Sequence, residues 1–298
     1  MRYMSVTEIA EKWGLSVRSV REYCAQGRIE GAFLTGRTWN IPADAMKPDR
    51  KPKASTKKIA LIDVLKRERE SKLSGGIYHK VQIDLTYNSN HMEGSRLTHD
   101  QTRHIFETST IGISDEVINV DDIVETANHF RCIDLIIEEA NYLLSERLIK
   151  QLHGILKNGT SDSRKAWFAV GDYKQLPNEV GGLETTAPEE VPKEIKALLK
   201  AYNEHPEKTL DEILDFHVKF EKIHPFQDGN GRVGRLLMFK ECLRNNITPF
   251  IITEPLKLYY YRGLHEWNSE KGFLRDTCLT AQDQFKAVLD YFKIGYED

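Results

Sequence analysis

Apolar residues recur every three to four positions over several long segments, which is the spacing that places them on one face of an α-helix. In the segment from Leu210 to Ile223, for example, Ile213, Leu214 and Phe220 share a face. This periodicity predicts a mainly α protein. The predicted helices cover residues 59–73, 77–90, 121–143, 146–156, 191–202 and 210–223, and a further helix continues from residue 232.

The first 46 residues have a pattern of their own. Ser5 and Glu8 have the spacing of a capping box, Gly14 ends the helix that they start, and a second helical segment follows. Residues 32–42 then alternate between apolar and polar side chains around a glycine, as a short β-hairpin does. The pattern predicts a small module, residues 1–46, with two helices followed by a hairpin.

Charge separates this module from the rest of the chain. Residues 47–58 are rich in lysine, proline and serine, a composition typical of a basic linker. The chain up to residue 58 carries a net positive charge, whereas residues 59–298 carry a net negative charge. We therefore predict that residues 59–298 form a separate domain that does not itself bind nucleic acid.

Composition restricts the class of protein further. The 298 residues are 40% hydrophobic and 29% charged, which is typical of soluble globular proteins. No run of about eighteen apolar residues occurs, so we expect no membrane partner. The widely spaced cysteines contain no Cys-x-x-Cys pair, which argues against zinc and disulfides and favours a cytoplasmic location. These cysteines are Cys24, Cys132, Cys242 and Cys278.

The segment from His224 to Arg235 combines a histidine, a carboxylate, a glycine-rich turn and two arginines within twelve positions. The glycines of the turn favour positive φ, and helical spacing resumes directly after it. The turn therefore opens a helix whose unpaired backbone N–H groups and positive dipole end attract an anion, most simply phosphate.

The charged residues around this turn indicate the chemistry. Arg232 and Arg235 are three residues apart on a helix, where both are placed to bind further phosphate groups. Asp228 offers the hard oxygen ligand that Mg²⁺ prefers, and His224 is a base of suitable pKa. Together these residues predict phosphoryl or nucleotidyl transfer. The glycine spacing also satisfies the dinucleotide-binding fingerprint, but the helical segment before the turn is not the buried strand that this motif requires.

The twelve residues from His224 to Arg235 resemble the signature of the Fic family, His-x-Phe-x-Asp/Glu-Gly-Asn-Gly-Arg-x-x-Arg, and no gap is needed to align them. The resemblance implies a Fic-type helical bundle that transfers AMP from ATP to a hydroxyl side chain of a target protein, with Mg²⁺. It implies that His224 is the general base and that Asp228 is the metal ligand. It further implies a core anchor at Phe226, a phosphate nest at Gly229, Asn230 and Gly231, and ligands of the terminal phosphates at Arg232 and Arg235.

The resemblance carries two further implications. Doc-type relatives, which phosphorylate their targets, have a lysine at the position of Gly231, so this chain favours adenylyl transfer. In Fic proteins the region that corresponds to residues 167–183 is a small β-hairpin flap that presents the target hydroxyl. Here the helical pattern breaks over that region and alternates weakly.

The sequence Ser89-Asn90-His91-Met92-Glu93-Gly94 resembles the inhibitory motif of the family, Ser/Thr-x-x-x-Glu-Gly/Asn. Ser89 and Glu93 are four residues apart and share one helical face, and Gly94 is placed to end the helix. The resemblance implies an inhibitory helix around residues 78–94. In it, Glu93 pairs with Arg235 and so removes a ligand of the γ-phosphate.

The N-terminal module resembles the small winged helix-turn-helix domain of excisionase and MerR-like proteins, which implies DNA binding. Arg18 and Arg21 are then expected on the exposed side of the second helix, facing the DNA groove, with Arg28 and Arg37 near phosphates. The alternative is that these arginines form a solvated face and that the module docks on protein.

The resemblances together imply a protein adenylyltransferase that acts on a Tyr, Thr or Ser hydroxyl, is inhibited by Glu93 and is coupled to DNA binding. Two alternatives stay open: Glu93 orients a water that removes AMP from a modified protein, or the chain is a DNA-binding regulator that modifies itself. A homo-oligomer is also compatible with the sequence. Aromatic residues near the C terminus suit either adenine packing or the core: Tyr259, Tyr260, Tyr261 and Trp267.

Overall fold

The computed structural model of the chain describes residues 2–48, 60–112 and 117–296, apart from the side chain of Leu183. Within these ranges the chain is mainly helical, with two small antiparallel sheets, which confirms the prediction of a mainly α protein. Residues 49–58 of the predicted linker lie outside the described residues. None of the helices described is both long and apolar enough to cross a lipid bilayer.

The N-terminal module has its two helices and its hairpin in the predicted order, with one additional short strand. Its elements are β1 (Tyr3–Met4), α1 (Val6–Trp13), α2 (Val17–Ala25), β2 (Phe33–Thr35) and β3 (Thr38–Pro42). Ser5 and Glu8 form the predicted capping box at the start of α1, and Gly14 ends that helix with a φ of 63°. Strand β3 pairs with both β1 and β2, and the module has a hydrophobic core of its own.

The remaining helices are α3 (Leu61–Ser71), α4 (Ile77–Met92), α5 (His99–Thr108), α6 (Val120–Glu138), α7 (Glu146–Lys157), α8 (Val191–Asn203), α9 (Leu210–Ile223), α10 (Asn230–Arg244), α11 (Lys257–Glu266) and α12 (Gly272–Tyr291). The predicted helical segments are confirmed over most of their length, and α9 has the predicted bounds. Helices α5, α11 and α12 were not predicted. The helix predicted to continue to residue 143 ends at Glu138 instead, because a 3₁₀ turn, Glu139–Asn141, follows it.

Helix α10 lies at the centre of the larger domain. It packs against α4, α6, α7 and α9, and nearly all of its side chains are buried, including charged ones. The buried charged residues are Arg232, Arg235, Lys240 and Glu241. Since an unpaired buried charge is costly, each of these side chains needs a partner from a neighbouring element. The start of α10 is therefore enclosed by polar contacts from the surrounding helices.

The predicted flap is smaller than the sequence suggested and lies later in the chain. Strands β4 (Glu179–Val180) and β5 (Leu183–Glu184) pair antiparallel around two glycines with positive φ. Residues 167–178 form turns rather than strand. A proline at position 177 explains this difference, because proline fixes φ and has no N–H for a strand ladder.

The exposed position predicted for Arg21 is wrong. Helix α12 covers that face of α2, and Arg21 is only 3% exposed. Its guanidinium donates to Thr280 Oγ1 (2.8 Å) and lies 3.6 Å from Asp283 Oδ2. Arg37 also faces the larger domain, and Arg18 is half-buried. The prediction considered the module in isolation and could not include the surface against which it packs.

Candidate active site

The end of α9 positions His224. Proline 225 disfavours helical backbone at the residue before it, so α9 ends there and His224 takes the left-handed conformation, with a φ of 51°. Its Nδ1 lies 3.3 Å from the carbonyl oxygen of Glu221, which fixes the orientation of the ring. Burial is the largest influence on this imidazole and lowers the pKa of His224 below its usual value.

The loop after His224 is held from within. Asn230 forms two hydrogen bonds to the backbone of Phe226: the N–H of Phe226 donates to Asn230 Oδ1, and Asn230 Nδ2 donates to the carbonyl of Phe226, both over 2.8 Å. The Phe226 ring is fully buried and stacks on His153, with ring centroids 4.0 Å apart. Phe226 therefore lies in the core beneath the loop, where the resemblance placed it.

The first turn of α10 has no side-chain cap. Gly229 precedes the helix with a φ of 84°, and the Asn230 side chain is engaged by the loop. The backbone N–H groups at this helix end therefore have no side-chain acceptor, which is the arrangement of an anion site. A Cβ added at Gly231 would lie 2.4 Å from Glu93 Oε1, so the glycine makes room for the carboxylate.

Arg235 binds the end of α4. Its Nη2 lies 2.5 Å from Glu93 Oε1 and donates to the carbonyl of Ser89, and its Nε donates to the hydroxyl of Ser89, each of these two hydrogen bonds being 3.0 Å long. Gly94 follows with a φ of 96° and turns the chain away. The structure thus has the Glu93–Arg235 contact that the motif implied. Burial alone would raise the pKa of Glu93, but Arg235 and Arg232 outweigh it and hold that pKa below its usual value.

A second charge cluster holds Arg232 and Asp228. Arg232 pairs with Glu125 and lies 3.2 Å from Asp228 Oδ2. The buried Lys157 bridges the same two carboxylates, at 2.5 Å from Glu125 and 2.6 Å from Asp228. Burial would raise the pKa of Asp228, but Arg232 and Lys157 hold it well below its usual range. Sequence reasoning missed Lys157. Its one local signal is its position four residues after His153, on the buried face of α7.

The residues present fit a magnesium ion at Asp228. Mg²⁺ is commonly held by one or two carboxylates, with the remaining ligands supplied by water and phosphate oxygens. The Asp228 side chain is ionised and 46% exposed, so it can reach such an ion. Within the described ranges no group of three His, Cys, Asp or Glu residues is arranged to hold a metal on its own. A magnesium ion at this position would take one protein ligand from Asp228 and its other ligands from water and phosphate oxygens.

Lys174 is a second residue that sequence reasoning missed. It is 3% exposed, and its Nζ donates to Asn178 Oδ1 (2.7 Å) and Thr185 Oγ1 (2.6 Å), on either side of the β4–β5 hairpin. Its backbone N–H donates to the carbonyl of Pro225, and Asn178 donates to that of Phe226. Burial lowers the pKa of Lys174 to about 8. The hairpin is thereby tied to the loop that carries His224.

The C-terminal aromatic residues divide between core and surface. Tyr260 and Trp267 are each 1% exposed and belong to a hydrophobic cluster, so for these two the core interpretation is confirmed. Trp267 donates to Asp215, and the Tyr260 hydroxyl lies 2.5 Å from His217 Nε2. Tyr259 and Tyr261 are partly exposed.

The fold and the site together define a mainly helical domain with an anion-binding loop at the start of a buried central helix. Residues 143–242 match the model of the Fic/DOC family, so this part of the chain is similar to that family. The match includes the loop from His224 to Arg235 and ends before α11. It includes neither the N-terminal module nor the Ser89–Gly94 segment.

Relatives with assigned names have low identity to this chain. Protein adenylyltransferase fic-1 of Caenorhabditis elegans is 26% identical over 197 residues, or 64% of this chain and 36% of the relative. Protein adenylyltransferase Fic of Nematostella vectensis is 28% identical over 229 residues, or 71% of this chain and 50% of the relative. The chain spans at most half the length of these two relatives.

Solved structures share the fold. A Fic domain containing signaling protein from Bacteroides thetaiotaomicron has a TM-score of 0.62 at 23% identity, covering 80% of this chain and 99% of its own. Fic-1 from C. elegans has a TM-score of 0.59 at 19% identity, covering 78% of this chain and 72% of its own. These values support the Fic-type helical bundle predicted from the sequence.

Proposed function

We propose that this chain is a protein adenylyltransferase, which transfers AMP from ATP to a Tyr, Thr or Ser hydroxyl of a target protein. The observation that carries the proposal is the arrangement of His224, Asp228 and the uncapped start of α10 around one loop, held by Asn230 and Phe226. The attack of a hydroxyl on a phosphate requires a base, a metal ligand and an anion site close together, and this loop brings the three together.

His224 is the general base in this mechanism. Its Nδ1 faces a carbonyl oxygen and therefore carries the proton, which leaves the lone pair on Nε2 to accept the proton of the target hydroxyl. The hydroxyl oxygen attacks the α-phosphorus, the bond to the bridging oxygen breaks, and pyrophosphate leaves. Backbone N–H groups of Asn230 and Gly231 stabilise the charge on the phosphate oxygens.

The remaining charged residues hold ATP and its leaving group. Asp228 would hold Mg²⁺, whose chemistry at this site is to neutralise charge on the phosphates. Arg232 and Arg235 provide bidentate donors for the terminal phosphates. Both arginines pair with carboxylates, so ATP has to replace Glu93 at Arg235. This competition supports the proposal that Glu93 inhibits the enzyme.

Position-specific labels of ATP test the transfer. Incubation with Mg²⁺, cell lysate and α-labelled ATP is expected to label protein above the level of lysate alone, whereas with γ-labelled ATP the chain should add no label beyond that of lysate alone, because pyrophosphate departs. Labelling from the γ position alone would identify a phosphotransferase and contradict the proposal. Asp228→Ala is the matched variant, and it should reduce labelling at every Mg²⁺ concentration.

The pH profile gives a second test. Because burial and Lys174 lower the pKa of His224 more than Glu93 and Asp228 raise it, the imidazole stays neutral where an exposed histidine is partly protonated. A base has to be neutral, so transfer should still exceed half of its maximum at about pH 6.5 and fall to half only at lower pH. Initial labelling rates measure this, and a midpoint above about 6.5 would contradict it.

We also propose DNA as a partner of the N-terminal module, on the order of its helices and hairpin and on the positive charge of the linker that follows it. Of the arginines predicted to contact DNA, Arg21 and Arg37 bind the larger domain in this structure. The proposal therefore applies to a module that has left α12. We place the enzyme in the cytoplasm, with a target protein of unassigned identity.

A further inference from the structure

Two arginines hold the N-terminal module against the larger domain. The contacts of Arg21 with Thr280 and Asp283 join α2 to α12. From the tip of the hairpin, Arg37 donates to the carbonyl of Phe273 and to Thr277. Arginine suits contacts of this kind because its planar guanidinium carries several hydrogen-bond donors in a fixed arrangement and is weakly hydrated. The interface thus depends on the charge and the hydrogen-bond donors of these two arginines, and the same donors can bind a polyanion.

Arg37 also connects the module to α11. Its guanidinium lies over the ring of Tyr259, 5.1 Å from the centroid, and over that of Phe273 at 4.9 Å. Such cation–π contacts are attractive and fix the relative position of the two groups. Tyr259 is the first of three consecutive tyrosines on α11.

The next two tyrosines contact the residues that surround the anion site. Tyr260 is buried, with its hydroxyl 2.5 Å from His217 Nε2; burial raises the pKa of Tyr260, and the charge of Arg235, the partner of Glu93, opposes that rise. The Tyr261 hydroxyl donates to the carbonyl of Met92, the last residue of α4 and the neighbour of Glu93 (3.4 Å). One short helix therefore contacts the module and the end of the inhibitory segment, and it lies within electrostatic reach of Arg235.

We propose that docking of the module on α11 and α12 strengthens the Glu93–Arg235 ion pair, and that a polyanion binding Arg21 and Arg37 in place of α12 weakens it. The coupling requires that the contact between Arg37 and Tyr259 restricts the motion of α11. Loss of that contact loosens the Tyr261 hydrogen bond at Met92 and with it the position of Glu93. Linkage makes the effect reciprocal, so an ATP phosphate at Arg235 favours release of the module. The consequence of this coupling for AMP transfer rests on the proposed function.

Two variants of the full chain weaken the interface, one by changing the module and the other by changing α12. Arg21→Ala with Arg37→Ala removes the donors of the module, and Asp283→Arg places a like charge against Arg21 on α12. Arg28→Ala is the matched control, because its guanidinium lies over Tyr23 within the module. Small-angle scattering measures release of the module as an increase in the radius of gyration. Amide hydrogen exchange of residues 89–95 measures the end of α4 without reference to any activity.

Both interface variants are expected to expand the chain and to raise exchange at residues 89–95 by about fivefold or more, whereas the control changes neither. Expansion without faster exchange at residues 89–95 overturns the coupling. Unchanged scattering in both variants overturns it as well, because these residues then do not hold the module. Faster exchange with no protein labelled from α-labelled ATP would leave the coupling intact and contradict the proposed function alone.

Discussion

Replacing His224 by alanine is expected to lower AMP transfer by about 10²–10⁴-fold, the usual contribution of a positioned general base. The side chain lies at the end of α9, and no other histidine is part of the loop from 224 to 235. The loop itself is held by Asn230 and Phe226, so the variant should fold and bind ATP. Initial rates of labelling from α-labelled ATP, with ATP affinity measured separately by calorimetry, test both parts.

The matched control is His205→Ala, which removes an exposed histidine between α8 and α9. It should leave the rate unchanged. A His224→Ala protein that binds ATP and transfers AMP within about threefold of the parent would show that another group takes the proton. A variant that no longer binds ATP would instead identify His224 as part of the binding site. Either result would contradict the role proposed for it.

The loop around His224 was predictable because its determinants are local. Proline after the histidine, glycines at the turn and helical spacing beyond it all act within a few residues, and they are sufficient to place the base and the start of α10. The Glu93–Arg235 contact was different, since it joins residues far apart in the chain. Its prediction came from the resemblance to the inhibitory motif, because periodicity gives only the helix that carries Glu93.

Contacts made by long side chains between elements were not predictable. Lys157 ends α7 with a spacing that fits any solvated lysine, and only the packing of α7 against α6 and α10 places its Nζ between Glu125 and Asp228. Arg21 was assigned to the exposed face by the same kind of local argument, and it is buried because α12 covers α2. The partners named here lie more than 30 residues away in both cases, so the local pattern can place the side chain on a helix face but cannot identify its partner.

Replacing Glu93 by glycine is expected to raise AMP transfer by about 10–100-fold. A hydrogen bond between charged groups contributes about 1.5–3 kcal/mol. In the glycine variant ATP no longer has to break such a contact before it binds Arg235, so its binding gains this free energy. Glycine also removes the carboxylate from the start of α10, where it occupies the positive end of the helix dipole. The measurement is the initial rate of labelling of protein from α-labelled ATP, for the variant and the parent chain.

Glu93→Gln separates charge from space, because glutamine keeps the volume of the side chain and removes its charge. If competition for Arg235 is the cause, the glutamine variant should recover much of the increase; if the side chain acts by filling the site, it should resemble the parent. A third result would favour the alternative chemistry. Should the parent chain remove AMP from a labelled protein, and both variants lose that removal, Glu93 orients a water rather than restrains ATP. The ion pair with Arg235 then positions a reacting group, and inhibition of transfer is its consequence.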